Sequence, residues 1–397
     1  MNKKNNICLI DFRLTGHHPF YLANFAHTFQ QLDCKVDIFT PDVDSCIDAL
    51  KLALPELELD NIKFIRTNSS TVNGSRLWGC RVYFNLIRLQ REIRHHERIA
   101  AYQYGLVFFA YLDDVAHPDF ILPYLIKAPF TMNFSGLLMA PREKVLRKFP
   151  PLVRHLITTF LEQNSANSSE LGLLVEDVKQ PVEKKLKKHT IVYPDFCSST
   201  PLDQVSCPIN DEVSKRKNGR VTTSLLGSIQ PHKSVDLFFD CVRSANPKKH
   251  FFVVAGKFRR SAFSDKQWKI IQPIMENPPE NLIIFNEWLN SEAVFDSLVQ
   301  QSDYLFAYYR NFKKSSNVLT KGAFYKKPVI VSEKYLMGER VRKYKLGFSL
   351  SEEKTLDMYK NESINRFEFD ENLRQIFVDS HSVERLKTIF SRQLQDI

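Results

Sequence analysis

Residues 315–332 read SSNVLTKGAFYKKPVIVS: three polar residues, a short apolar run, a lysine pair and a strand. Ser315, Ser316 and Asn317 are residue types whose side chains satisfy the open N–H groups of a helix start, and Val318, Leu319, Ala323 and Phe324 follow at helical spacing. Lys326, Lys327 and Pro328 end that helix, and Val329-Ile330-Val331 is a buried-strand run. The preceding SDYLFAYY (302–309) is a strand as well, so the stretch reads as strand, loop, helix, strand. Such a loop aims backbone N–H groups at the carboxyl edge of a sheet, a place suited to a phosphate. The same residues also describe a well-capped helix in any α/β protein.

Working outward, apolar runs alternate with helical patterns along the chain. In the first half the strands are ICLIDF (7–12), KVDIFT (35–40), NIKFIRT (61–67), GLVFFAYL (105–112), PFTMNFSG (129–136), LGLLVE (171–176) and HTIVYPDF (189–196), with helices clearest at 19–32 and 75–102. Residues 197–219 are polar, hold two prolines and a glycine, and read as a linker. The alternation restarts with VTTSLLGS (221–228), HFFVVAGK (250–257) and NLIIFNEWL (281–289). A last amphipathic helix places Val383, Leu386, Ile389 and Phe390 on one side. Strands separated by helices imply parallel sheets covered on both faces. The expected architecture is α/β: two doubly wound, Rossmann-like domains with a cleft between them. The boundaries fall at 1–205, 206–380 and a C-terminal helix, 381–397, that packs back near the first domain.

Composition narrows the classes. At 397 residues, two domains are the natural expectation, and 43% hydrophobic residues suffice for packed cores rather than disorder. GLVFFAYL, the longest apolar run, is too short to span a bilayer, and the N-terminus lacks the features of a signal peptide. Seven scattered cysteines with no Cys-x-x-Cys pair point to a reducing cytosol. The formal charge of +10 gathers in RLQREIRHHER (88–98), KQPVEKKLKK (179–188) and KRKNGR (215–220). Such runs are solvated faces, or sites for anionic lipid or a phosphorylated substrate; without a nucleic-acid module signature, no nucleic-acid partner is expected.

Several catalytic signatures are absent, including the glycine-rich dinucleotide loop, the Walker loop and Gly-x-Ser-x-Gly. Asp42-Val43-Asp44 could hold a cation against a diphosphate or simply cap a helix, and His95-His96-Glu97 reads as a solvated helix face. No metal is expected. Two places carry more weight. Gly16, His17 and His18 form a turn at the carboxyl end of the first strand, the edge where open α/β sheets bind ligands. In GSIQPHKSVDLFFD (227–240), Gly227 ends a strand and Lys233 opens a helix, where the dipole disfavours a cation unless an anion joins it.

These residues carry a family resemblance. The run LLGSIQPHKSVDLFF (225–239), followed in order by HFFVVAGK, NLIIFNEWLNSEAVFDSLVQQSDYLFAYY, SSNVLTKGAFYKKPVIVS and GERVRKYKLGFSL (338–350), resembles the donor-binding domain of the retaining family 4 glycosyltransferases, which have the GT-B fold. TGHHPFYLANFAHTF (15–29) is similar to the glycine loop and helix that open their acceptor domain. The resemblance covers about 210–350 most specifically. It implies transfer of a sugar from a nucleotide-diphosphate donor to a glycan or lipid-linked acceptor, with retention and without a metal or other cofactor, in polysaccharide or glycoconjugate synthesis. The alternative is a catalytically inactive relative that binds a nucleotide or glycan. The family's phosphate-binding lysine falls on Lys233, its arginine after the glycine on Ser228, and its two donor-site glutamates on Lys313 and Lys321. Donor contacts are expected from Gly227, Ser228, Lys233, Glu287, Ser315, Ser316, Asn317 and Lys321, with Lys321 reaching a phosphate or an acidic sugar group. Gly16 would shape the acceptor loop, and His17, His18 and Asp113 would be the catalytic candidates. Basic surface and the absence of a membrane span place the expected protein in the cytoplasm, at the inner face of an anionic membrane.

Overall fold

The computed structural model describes residues 5–14, 16, 18–69, 78–115, 130–139, 167–174, 179–186, 189–195, 197, 208–289, 291–364 and 366–396. His17 lies outside them. The chain forms two compact units, Met1–Pro194 with Val383–Ile397, and Asp195–Ser382.

The first unit contains β1 (Asn6–Ile10), β2 (Lys35–Thr40), β3 (Ile62–Arg66), β4 (Leu106–Phe109), β5 (Phe134–Leu138), β6 (Leu171–Leu173) and β7 (Thr190–Val192). They form one parallel sheet in the order β3-β2-β1-β4-β5-β6-β7, with Leu9 of β1 opposite both Ile38 and Phe108. β1, β4 and β5 are buried along their whole length, which is why their sequences are continuous apolar runs rather than alternating ones. The helices α1 (His18–Gln30), α2 (Val43–Ala53) and α3 (Trp78–Ala100) follow β1, β2 and β3. Asp42 caps α2 through Ser45 N and Ser45 Oγ, the ordinary reading of the Asp-x-Asp motif. His96 departs from the expected solvated face. It lies on the core side of α3, its Nδ1 3.0 Å from Tyr104 Oη, while Tyr104 Oη donates to the buried Asp37.

The C-terminal helix Val383–Gln395 belongs to this unit. Phe390 stacks on Phe29 with ring centroids 4.3 Å apart, and meets Phe25, Phe108 and Tyr193 edge-on or tilted. Gln393 Nε2 donates to the Glu170 carbonyl at 2.9 Å, and Arg392 pairs with the Glu170 carboxylate at 2.5 Å.

The second unit contains β8 (Val221–Leu226), β9 (His250–Ala255), β10 (Leu282–Phe285), β11 (Tyr304–Phe306), β12 (Val329–Ser332) and β13 (Gly347–Leu350), all parallel, in the order β10-β9-β8-β11-β12-β13. Alternate residues serve opposite faces: Phe252 and Val254 join one core cluster with Phe238 and Phe306, while Phe251 and Val253 join another with Leu305 and Val329. Part of the expected linker is instead a helix, Pro208–Lys217. Pro208 suits a first helical position, three basic residues fill the last turn, and Asn210 and Val213 are buried. β13 was not anticipated; its four residues are only half-buried and give no apolar run.

Both sheets are built the same way. The chain starts in the middle, at β1 or β8, winds outward to one edge, then returns to the other side at β4 or β11. The carboxyl ends of β1 and β4, and of β8 and β11, are therefore the switch points where doubly wound sheets bind ligands. Among the described residues, no helix is long and apolar enough to cross a membrane.

The aromatic cluster predicts the cost of undocking the last helix. Phe390→Ala should destabilise the first unit by about 3–5 kcal/mol, measured by urea unfolding. A loss below about 1 kcal/mol would mean that the stacked ring contributes little to this unit.

Candidate functional site

The second unit gathers its candidates at the β8–β11 switch point. β8 ends at Leu226, and Gly227 takes a positive φ of 84°. The adjacent strand end comes very close: a Cβ on Gly256 would lie 2.0 Å from the Gly227 carbonyl oxygen, so glycine is required there. The chain then makes a short 3-10 turn, Pro231–Lys233, and passes through left-handed Ser234 (φ 50°) into the helix Val235–Ser244. This reversal sends Lys233 back over the strand end. Its Nζ donates to the Leu226 carbonyl at 2.5 Å and lies 5.6 Å from the centre of the Tyr309 ring.

Lys233 is 8% exposed, and desolvation alone pulls its ammonium down from the ordinary lysine range to about 7. Among the described residues, no carboxylate offsets that burial. Tyr309, on the loop after β11, continues the cluster: its Oη lies 3.3 Å from Ser316 Oγ. Ser316 is the N-cap of the helix Asn317–Phe324, accepting from Val318 N. Ser315 Oγ accepts from Arg340 at 2.8 Å, and Asn317 Oδ1 is buried with no hydrogen-bond partner among the described residues. His232 stacks on Phe312 with centroids 5.2 Å apart, and its carbonyl accepts from Arg310 N. Thus Gly227, Lys233 and Ser316 are joined through Tyr309, with Ser315 and Asn317 flanking the helix start. An ammonium, first-turn N–H groups and hydroxyls around one strand end can receive an anion.

Other expected donor residues stand differently. Ser228 Oγ accepts from Gln230 Nε2 at 3.3 Å and is half-buried beside Gly227. Glu287 is exposed after β10, two strands from β8 and so about 10 Å away across the sheet. Lys321 departs most from expectation. It is fully buried, paired with Asp296, 3.0 Å from Glu292, and 4.0 Å from Cys197 Sγ. Burial opposes its charge, but Glu292, Cys197 and Asp296 outweigh it and hold the ammonium protonated. The same burial pushes Asp296 up to about 6 against the pull of Lys321. Lys321 joins its helix to the neighbouring Glu292–Gln301 rather than offering a cation to a ligand. Lys313 is exposed.

The first unit has its own cluster at the β1–β4 switch point. Asp11, directly after β1, is 2% exposed. It accepts from Arg13 N at 2.9 Å and meets His18 Nδ1 at 2.9 Å. A carboxylate in that position places the proton on Nδ1 and leaves the Nε2 lone pair available. The His18 ring stacks on Tyr111, just past β4, with centroids 3.6 Å apart and planes 13° from parallel. Gly16 is exposed at φ 68°. Asp113 accepts from Met139 N at 2.6 Å and so ties the turn after β4 to the end of β5. Asp11, Tyr111, Tyr309 and Arg340 were not singled out from sequence; a lone acid closing a fully apolar run was the available signal for Asp11.

Comparison with known proteins identifies this architecture. No family model matches the chain, and no curated protein matches it. Among solved structures, a glycosyltransferase from Rickettsia africae covers 100% of this chain and 99% of its own at a TM-score of 0.63 and 12% identity. HepE from Anabaena in complex with UDP and glucose covers 99% and 100%, with a TM-score of 0.65 and 10% identity. Sucrose-phosphate synthase from Thermosynechococcus elongatus covers 99% and 98%, with a TM-score of 0.64 and 12% identity. The fold is that of the GT-B glycosyltransferases, two Rossmann-like parallel-sheet domains.

The Lys321 pair makes a direct prediction. Lys321→Met leaves Asp296 and Glu292 without their cation and should destabilise the second unit by about 3–5 kcal/mol at neutral pH. The loss should shrink as pH falls from above neutral toward 6, because without the pull of Lys321 the Asp296 carboxyl takes up its proton above the value of about 6 that it has beside the lysine. Chemical denaturation at both pH values checks this; a pH-independent change would place the pair's importance elsewhere.

Proposed function

We propose that this protein transfers a sugar from a nucleotide-diphosphate donor to a hydroxyl of a glycan or lipid-linked acceptor. The observation that carries this reading is Lys233, a buried ammonium at the β8–β11 switch point with a carbonyl and a tyrosine ring beside it and, among the described residues, no carboxylate partner. A diphosphate arriving there supplies the missing negative charge. As the glycosidic C–O bond breaks, its electron pair passes to the diphosphate, the acceptor hydroxyl oxygen bonds to the anomeric carbon and the hydroxyl proton leaves on the departing diphosphate; Lys233 and the N–H group at Asn317 stabilise that leaving group. The reading needs no metal ion for that step. In the first unit, Asp11 fixes the His18 tautomer, and His18 Nε2 accepts a hydrogen bond from a sugar or acceptor hydroxyl. The GT-B fold supports the assignment, and UDP complexes occur among its solved relatives. Retention at the anomeric carbon is part of the proposal and follows from the resemblance of the second half.

A second reading, nucleotide binding without transfer, is favoured by one observation: Lys321 stands where the resembling family has a carboxylate, and it lies in a buried ion pair. Turnover of nucleotide sugars separates the two readings.

Binding is tested by calorimetry with UDP, GDP and ADP against the wild type and Lys233→Met, which nearly preserves volume. The variant should bind about 10–100-fold more weakly, the scale of one charged hydrogen bond. Because the Lys233 ammonium loses its proton near pH 7 in the ligand-free protein, affinity should be full below pH 7 and fall as pH rises above it. Above pH 7, binding should take up a proton, and the variant should show neither trend. Equal affinity in the variant, or binding of none of the three nucleotides, would overturn the donor site.

A further inference from the structure

The helix Tyr335–Tyr344 follows β12 and brings a second cation to the donor corner. It is pressed against the strand it leaves: a Cβ on Gly338 would lie 2.5 Å from the Ser332 carbonyl oxygen and 2.7 Å from that of Glu333, so glycine is needed for the approach. Two residues on, half-buried Arg340 leans towards the neighbouring helix and donates to Ser315 Oγ at 2.8 Å. Arg342, about 200° further round, turns the other way and donates to the Glu333 carbonyl and Ser349 Oγ. Ser315 leads into the helix Asn317–Phe324, whose first turn holds no acidic residue. The positive end of a helix dipole disfavours a guanidinium there.

Lys233 meets the same helix start from the opposite side, through Tyr309 and Ser316. The sheet runs β8-β11-β12 at this point, so Lys233 comes from the end of β8 and Arg340 from beyond the end of β12. Those strands are about 10 Å apart, and the two side chains reach towards the loop that lies between them. Two unit charges and about half a charge from the dipole exceed what a carboxylate balances and approach the charge of a nucleoside diphosphate. We infer that Arg340 is the second cation on the donor's diphosphate, placed opposite Lys233; this rests on the donor-site reading above. Where the resembling family has an arginine after the glycine, Ser228 is neutral, and Arg340 supplies that charge from a different element. A guanidinium suits the task, since its planar fork pairs with two phosphate oxygens and its charge does not titrate at physiological pH.

The test titrates uridine, UMP and UDP into the wild type, Arg340→Met and Arg340→Lys, by NMR for the weak ligands and calorimetry for UDP. The loss should grow with the number of phosphates. Arg340→Met should bind uridine as the wild type does and UDP about 10–100-fold more weakly, the scale of one charged hydrogen bond. Its UDP affinity should also depend less steeply on salt. Arg340→Lys keeps the charge without the fork and should recover most of the loss. Circular dichroism and thermal unfolding check that both variants fold. An arginine that merely ties two helices together would weaken all three ligands alike, or leave UDP affinity unchanged; either result overturns the inference. If the wild type binds no UDP, the donor-site reading fails and this inference with it. If Lys233→Met weakens UDP binding and Arg340→Met does not, this inference alone fails.

Discussion

The ammonium of Lys233 is held by a backbone carbonyl and the face of a tyrosine, and desolvation weakens its hold on the proton. Burying an ammonium on such terms is costly, and an arrangement of this kind persists where something else repays it. Much of the local backbone serves to create it. Gly227 turns the chain at positive φ, Gly256 lets a second strand end approach, and left-handed Ser234 reverses the path so that the lysine returns over β8. Tyr309 links that corner to the start of the helix at Asn317, so positive charge and first-turn N–H groups converge on one strand end.

The same unit contains a second buried lysine with the opposite character. Lys321 sits among Asp296, Glu292 and Cys197 and keeps its proton firmly, whereas Lys233 lies near its titration point at neutral pH. One lysine joins two helices, and the other is poised to respond to an anion. The contrast turns on partners rather than on depth, since both side chains are largely removed from water. In the first unit the matching switch point carries a carboxylate, an imidazole and a stacked tyrosine. That combination fixes a tautomer and presents a hydrogen-bond acceptor.

How much of this was legible in sequence depends on how local the cause is. Ile7–Ile10 and Phe251–Ala255 are buried on both faces, so their unbroken apolar runs announce parallel strands. Half-buried β13 has no such run and passed unnoticed. Lys233 was readable because a lysine at a helix start opposes the dipole. Lys321 was misjudged because its partners, Asp296 and Glu292, lie on a different helix, and nothing near 321 reveals them. Asp11 and His96 show the same limit: each is a single polar residue whose burial becomes evident only when the partner across the fold is known. The helix Pro208–Lys217 was taken for linker because its polar composition outweighed its proline start and basic last turn.

The most direct measurement is a crystal structure of the protein with UDP bound. The diphosphate should lie beside β8, with Lys233 Nζ moved from the Leu226 carbonyl to a phosphate oxygen, and with the N–H group at Asn317 on another. Lys321 should still be paired with Asp296, away from the nucleotide. A nucleotide bound elsewhere, with Lys233 unmoved on Leu226, would contradict the central claim.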